Sequence, residues 1–251
     1  MPASFVFAIH QTIYNTKTII SDEKGLEMAR GVERLRTVYL DGEYVEQDAY
    51  DIYDGAILSV QKCLAAFREN GGSEDQIFSC KITNEPATFV LWDEQGRPLH
   101  EAIVSQCQRA RGICNMFVLY GWADLIKQKT GLTMELKYSA AKVMWLSQSS
   151  SEIRKAIRTG KAFFGTIDTW LLYKFTNGTQ FLTERSNASQ TMLYNKETRK
   201  WDKELISKFD LDGLNLPEIR DTHSHFGFTD FNGLLKKKIE IASMTGVYDN
   251  L

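Results

Sequence analysis

The chain has 251 residues, 43% hydrophobic and 25% charged, with a formal net charge of −2. This is enough apolar content for a sizeable core, and the balanced charge excludes the basic surface of a nucleic-acid or anionic-membrane binder. No apolar run approaches the roughly 18 residues of a membrane span, and the N-terminus lacks the basic and apolar segments of a secretory leader or the Arg-rich pattern of an organelle leader.

Length favours one large α/β domain. Phe5–Ile9, Thr18–Ser21 and Leu26–Leu35 read as strands of an antiparallel meander. The turn between the first two, His10 to Asn15, sits where a nucleotide loop would, but it carries no glycine and no carboxylate. Thr37–Gln47 is polar and Tyr-rich and reads as a surface loop. Asp48–Arg68 is the clearest helix. Ile52, Ala56, Val60, Leu64 and Phe67 recur at helical spacing behind an Asp48 N-cap, and Asn70-Gly71-Gly72 stops it.

Ile77–Ile82, Phe89–Trp92 and Ala102–Val104 follow as strands. Gln106–Tyr120, Trp122–Thr130, Ser139–Ser147 and Glu152–Arg158 read as helices. Ala162–Phe164 is a strand, Asp168–Phe175 a helix, Phe181–Thr183 a strand, Trp201–Phe209 a helix, and Phe226–Thr229 and Ile239–Met244 terminal strands. Strands, a long helix and more strands make an α/β layout. The four cysteines, Cys63, Cys80, Cys107 and Cys114, fit a reducing, intracellular compartment; Cys63 and Cys80 read as core packing, and Cys107 and Cys114, seven apart, form no CxxC pair. His223 and His225 would share one face of a strand but lack an evident third metal ligand. Tyr39, Tyr44, Tyr50 and Tyr53 are candidates for a contact surface.

Several stretches resemble one family. Phe164 to Gly178 is similar to the FGTIDSWLIWKLTGG stretch of glycerol kinases. Ser186 to Asn195 with Trp201-Asp202 resembles their TNASRTMLFNI…WD, and Tyr138 to Leu146 resembles YFSATKVRWLL. The matches run in order from about Phe5 to Gly246. The chain is thereby identified as a member of the FGGY carbohydrate kinases, resembling the N-terminal domain of a glycerol kinase.

The resemblance implies a ribonuclease H-like, actin/hexokinase-type α/β domain, with a mixed five-stranded sheet flanked by helices. It implies one such domain over 1–251, with the C-terminal lobe absent. It also locates the family's chemistry. Phosphoryl transfer to an alcohol needs a proton acceptor, a metal near the phosphates and donors for the transferring charge. The family's DQGTTS-like phosphate loop falls on His10, Gln11, Thr12, Ile13, Tyr14 and Asn15, with only Gln11 kept. The polyol-binding Arg-Glu falls on Pro86 and Ala87, and the tryptophan of IVWQ on Ser105. The substrate tyrosine falls on Lys137, unless a one-residue shift lets Tyr138 serve. The catalytic aspartate falls on Val247 and the glutamine after it on Tyr248. Asp168, inside a family motif, reads as a structural helix-start residue.

These replacements lead to the expectation of an inactive, glycerol kinase-like pseudoenzyme. It would need no cofactor and serve as a structural or interaction subunit, meeting other protein subunits through the face a second lobe would cover. The alternatives are a polyol kinase lobe working with a separate ATP-binding lobe, and a polyol sensor.

Overall fold

The computed structural model describes residues 4–41 and 43–247. The opening meander forms as β1 (Phe5–Gln11), β2 (Asn15–Asp22) and β3 (Glu27–Arg34), paired antiparallel in that order. β1 alternates buried and half-buried residues along its length, the period of a strand with one core face. Phe5, Phe7 and Ile9 are its core side.

The stretch expected as a surface loop instead forms a hairpin, β4 (Val38–Leu40) with β5 (Tyr44–Gln47). Its partner is β8, supplied from more than fifty residues downstream, so local pattern alone could not place it. Of the four tyrosines there and just beyond, Tyr39 and Tyr50 are exposed. Tyr44 stacks edge-on against Trp145, and Tyr53 is buried.

α1 (Ala49–Glu69) starts where expected: the Asp48 carboxylate accepts from Tyr50 N at 2.7 Å. Its apolar face, including Ile52, Ala56, Val60, Cys63 and Phe67, packs on β2 and β3. The helix stops at Asn70, and Gly71 takes φ +80°. β6 (Ile77–Asn84), β7 (Phe89–Trp92) and β8 (Ala102–Ile103) follow, then α2 (Arg111–Leu119), α3 (Trp122–Thr130), α4 (Ser139–Ser149) and α5 (Ser151–Arg158). α2 starts later than its apolar pattern suggests. The preceding segment is tied to the hairpin through Gln108 N to Glu43 O and the buried Arg109 to Glu46. β9 (Phe163–Thr166), α6 (Ile167–Phe175), β10 (Leu182–Glu184) and α7 (Arg185–Ser189) come next. A small hairpin of β11 (Tyr194–Asn195) and β12 (Lys200–Trp201) takes Trp201 out of the expected helix. α8 (Lys203–Lys208) therefore begins behind an Asp202 cap. β13 (Glu218–Arg220), β14 (Phe228–Thr229) and β15 (Ile239–Gly246) are the last elements of the described residues.

The main sheet runs β14-β15-β6-β1-β2-β3. Five long strands match the expected mixed sheet, and the two-residue β14 adds a sixth at one edge. β1, β6 and β15 are mutually parallel. A second sheet, β4-β5-β8-β7-β9, is antiparallel and carries its own core with α2 to α5 and α8. Asp168 ties the end of β9 to β10. Fully buried, it accepts from Thr166 Oγ1 (2.5 Å), Thr183 Oγ1 (2.8 Å) and Glu184 N (3.1 Å).

α1 lies so close to β3 that a Cβ on Gly31 would fall 2.0 Å from Ser59 O and 2.5 Å from Cys63 N. Both are backbone atoms and cannot rotate away. Gly31→Ala is expected to lower unfolding free energy by about 3 kcal/mol, read from the urea midpoint.

Candidate functional site

The site is built where the three parallel strands end together. Gln11 of β1 pairs with Asn84 of β6, and Asn84 pairs with Gly246 of β15. Asn84 is fully buried. Its side chain exchanges two hydrogen bonds with that of Asn187 (2.9 and 3.1 Å), and its carbonyl accepts from Val247 N at 2.9 Å. Gly246 passes so near this amide pair that a Cβ would meet Asn187 Oδ1 at 2.7 Å. Its own N–H donates to Ser186 Oγ.

The β1–β2 turn closes over Gln11. Thr12 Oγ1 accepts from Tyr14 N (3.1 Å) and Asn15 N (3.2 Å), and Thr12 N donates to Asn15 O. Ile13 N donates to the Glu85 carboxylate at 2.8 Å. The backbone donors of the turn thus already have protein acceptors, and one acceptor is an anion. A phosphate arriving here would have to displace Glu85 against like-charge repulsion. Ile13 does not stand in the way as loose bulk: its side chain is buried in the second core, while Tyr14 is exposed. Gln47 Nε2 and Thr37 Oγ1 both donate to Ile13 O and fix the turn from behind.

His10 Nδ1 shares a 2.7 Å hydrogen bond with Thr83 Oγ1. The family's metal would need hard oxygen ligands at this position. The His10 imidazole offers nitrogen in place of a carboxylate oxygen and does not fit Mg²⁺, and the Thr83 hydroxyl beside it is bound to that imidazole. Among the described residues no group of three or more His, Cys, Asp or Glu could hold a metal ion. His223 and His225 lie outside any strand, and His225 pairs with Glu240 at 2.7 Å.

Pro86 and Ala87 follow β6 and are buried. Ala87 sits at φ +73°, a left-handed backbone that an alanine adopts at a cost of about 1–2 kcal/mol. Ala87 O accepts from Ser139 Oγ, and Thr88 Oγ1 accepts from Ser105 N. The 86–88, 104–105 and 137–139 segments therefore form one continuous wall beside the strand ends. Lys137 is exposed and pairs with Glu135 at 3.1 Å. Tyr138 is 5% exposed and belongs to the second core. Val247 is partly exposed beside Asn84, whereas Tyr248 lies outside the described residues. The structure thus gathers His10, Thr12, Ile13 and Val247 at the strand ends and Pro86, Ala87 and Lys137 along the wall.

Sequence reasoning passed over Glu85 and Lys142. Each is a charge inside an otherwise apolar or family-like run, and that was the available signal.

Residues 6–250 match the N-terminal domain of the FGGY family of carbohydrate kinases. The chain belongs to this family. It is 35% identical to glycerol kinase 1 of Thermotoga maritima over 243 residues, covering 96% of this chain and 49% of that protein. It is 34% identical to the glycerol kinase of Shewanella pealeana, covering 98% and 49%. The crystal structure of Plasmodium falciparum glycerol kinase with ADP superposes with a TM-score of 0.90 at 27% identity, covering 97% of this chain and 48% of that one. Gluconate kinase from Lactobacillus acidophilus shares the fold at 18% identity and a TM-score of 0.83. The fold is the ribonuclease H-like, actin/hexokinase type, and this FGGY chain spans about half the length of the curated relatives it matches.

Two measurements check this geometry. Thr12→Val removes the acceptor of two turn amides. It is expected to cost about 1–2 kcal/mol in urea unfolding and to speed hydrogen exchange at Tyr14 and Asn15. Burial pushes the Asp168 carboxyl up to about 6 from 3.8, against the pull of its hydroxyl and amide donors. The folded state then keeps a proton that the unfolded chain releases above about pH 4. The stability this contributes is complete below that pH and is lost as pH rises through about 6. Unfolding free energy of the wild type is expected to fall relative to Asp168→Asn between pH 4 and 6.

Proposed function

We propose that this FGGY domain is a catalytically inactive, glycerol kinase-like lobe that serves as a structural or interaction subunit of a larger assembly. The observation that carries the reading is the β1–β2 turn, whose donors are already bound to Thr12 and Glu85. The residue types at the other family positions support it. His10 replaces the carboxylate that would help hold a metal, Pro86 and Ala87 replace the polyol clamp, and Val247 cannot accept the proton of an alcohol. Loss of a general base alone typically costs about 10²–10⁴-fold, and here phosphate, metal and polyol groups change with it.

The partners in this reading are other protein subunits, meeting the face beside the strand ends. Four free, buried cysteines suit a reducing compartment. No described helix is long and apolar enough to cross a membrane. The competing reading is a kinase lobe that phosphorylates a polyol together with a separate ATP-binding lobe. The identity to glycerol kinases along nearly the whole chain favours it.

The native protein, purified with whatever binds it, separates the two. With Mg·ATP and a panel of polyols including glycerol, ADP formation at background is the expected result, and saturable turnover would overturn inactivity. By native mass, a particle well above 28.7 kDa is expected. A free monomer would overturn the subunit role.

A further inference from the structure

Among the described residues Lys142 is the one Lys or Arg side chain with no measurable exposure. It sits on α4 among Ala140, Ala141, Val143 and Met144, all in the second core. Its Nζ donates to three backbone carbonyls: Val104 O at 3.0 Å, Ser105 O at 3.0 Å and Lys137 O at 3.1 Å. An ammonium has three donors and no acceptor, so the match is complete only when Lys142 is protonated. A neutral amine has two donors and a lone pair. One carbonyl would then lose its donor and face that lone pair in a buried site.

The three carbonyls belong to two separate segments. Val104–Ser105 is joined to Thr88 through Ser105 N, and Lys137 adjoins Ser139, which holds Ala87 O. We propose that Lys142 is a protonation-dependent pin that holds these two segments together and so sets the shape of the wall beside the strand ends. The pin stands on its own geometry and holds whether or not the lobe transfers phosphate.

The groups that act on Lys142 are few. The Cys107 and Cys114 thiols favour its charge, and the Arg109 guanidinium opposes it. Arg109 is itself paired with Glu46, and the Lys137 ammonium points outward to Glu135. Burial dominates and pushes Lys142 down to about 7, which places loss of the third donor within reach of ordinary pH. Burial pushes the Cys114 thiol up to about 11, beyond that window.

Hydrogen exchange of the full chain at pH 6 and pH 9, corrected for intrinsic rates, tests the proposal. The reporting amides are Ser105, Cys107 and Ser139, with Phe7 and Ile9 of β1 as the reference. In the wild type, protection of the reporting amides is expected to fall about tenfold relative to β1 at the higher pH. Lys142→Met is expected to show low, pH-independent protection there. Cys107→Ser is expected to keep the wild-type profile. A flat wild-type profile overturns the proposal, as does a Lys142→Met profile equal to wild type or loss of the pH dependence in Cys107→Ser. If Lys142→Met does not fold, the wild-type and Cys107→Ser profiles decide alone.

Discussion

Asn84 is where the main sheet, its neighbouring helix and the candidate site meet. Its backbone lies between β1 and β15, and its carboxamide is exchanged with that of Asn187 at the third residue of α7. Both side chains are fully buried. An unpaired amide there would cost a few kcal/mol, so each asparagine requires the other. The pair holds three parallel strand ends level and leaves room only for glycine at Gly246. The turn after β1, the wall after β6 and the end of β15 all take their positions from that alignment.

Several side-chain contacts on this frame are scaffold. Asp168 with its two threonines, Asp202 capping α8 while pairing with Lys129, and the Asn84–Asn187 pair hold elements together. The turn differs in kind. A loop that is to receive phosphate must leave N–H groups free and keep anions away. This one directs Ile13 N at Glu85 and two further amides at Thr12. Burying Ile13 in the second core then makes the closed turn part of the packing, so opening it would also expose apolar surface.

Much of the fold was legible because periodicity and caps are local. α1 with its Asp48 cap, the meander of β1 to β3 and the strand β6 followed from spacing. The misses have non-local causes. The β4–β5 hairpin depends on β8, the late start of α2 on Arg109 reaching Glu46, and the shortened α8 on the pairing of Trp201 with Tyr194. At the site, residue identities pointed to the positions that the resemblance aligns with the family's chemistry. Only the structure gave Glu85 a partner across 72 residues, or showed that Lys142 binds three carbonyls. A charge in an apolar run signals that it must be paired, but not with what.

The account rests on the closed turn, and the most direct probe is the turn's own amides. In ¹H–¹⁵N spectra of the full chain titrated with Mg·ATP and, separately, with inorganic phosphate, the Ile13, Tyr14 and Asn15 resonances should stay within their unliganded line widths at millimolar ligand. Saturable shifts of these three amides, with Glu85 released from Ile13, would contradict it and return the turn to phosphate binding.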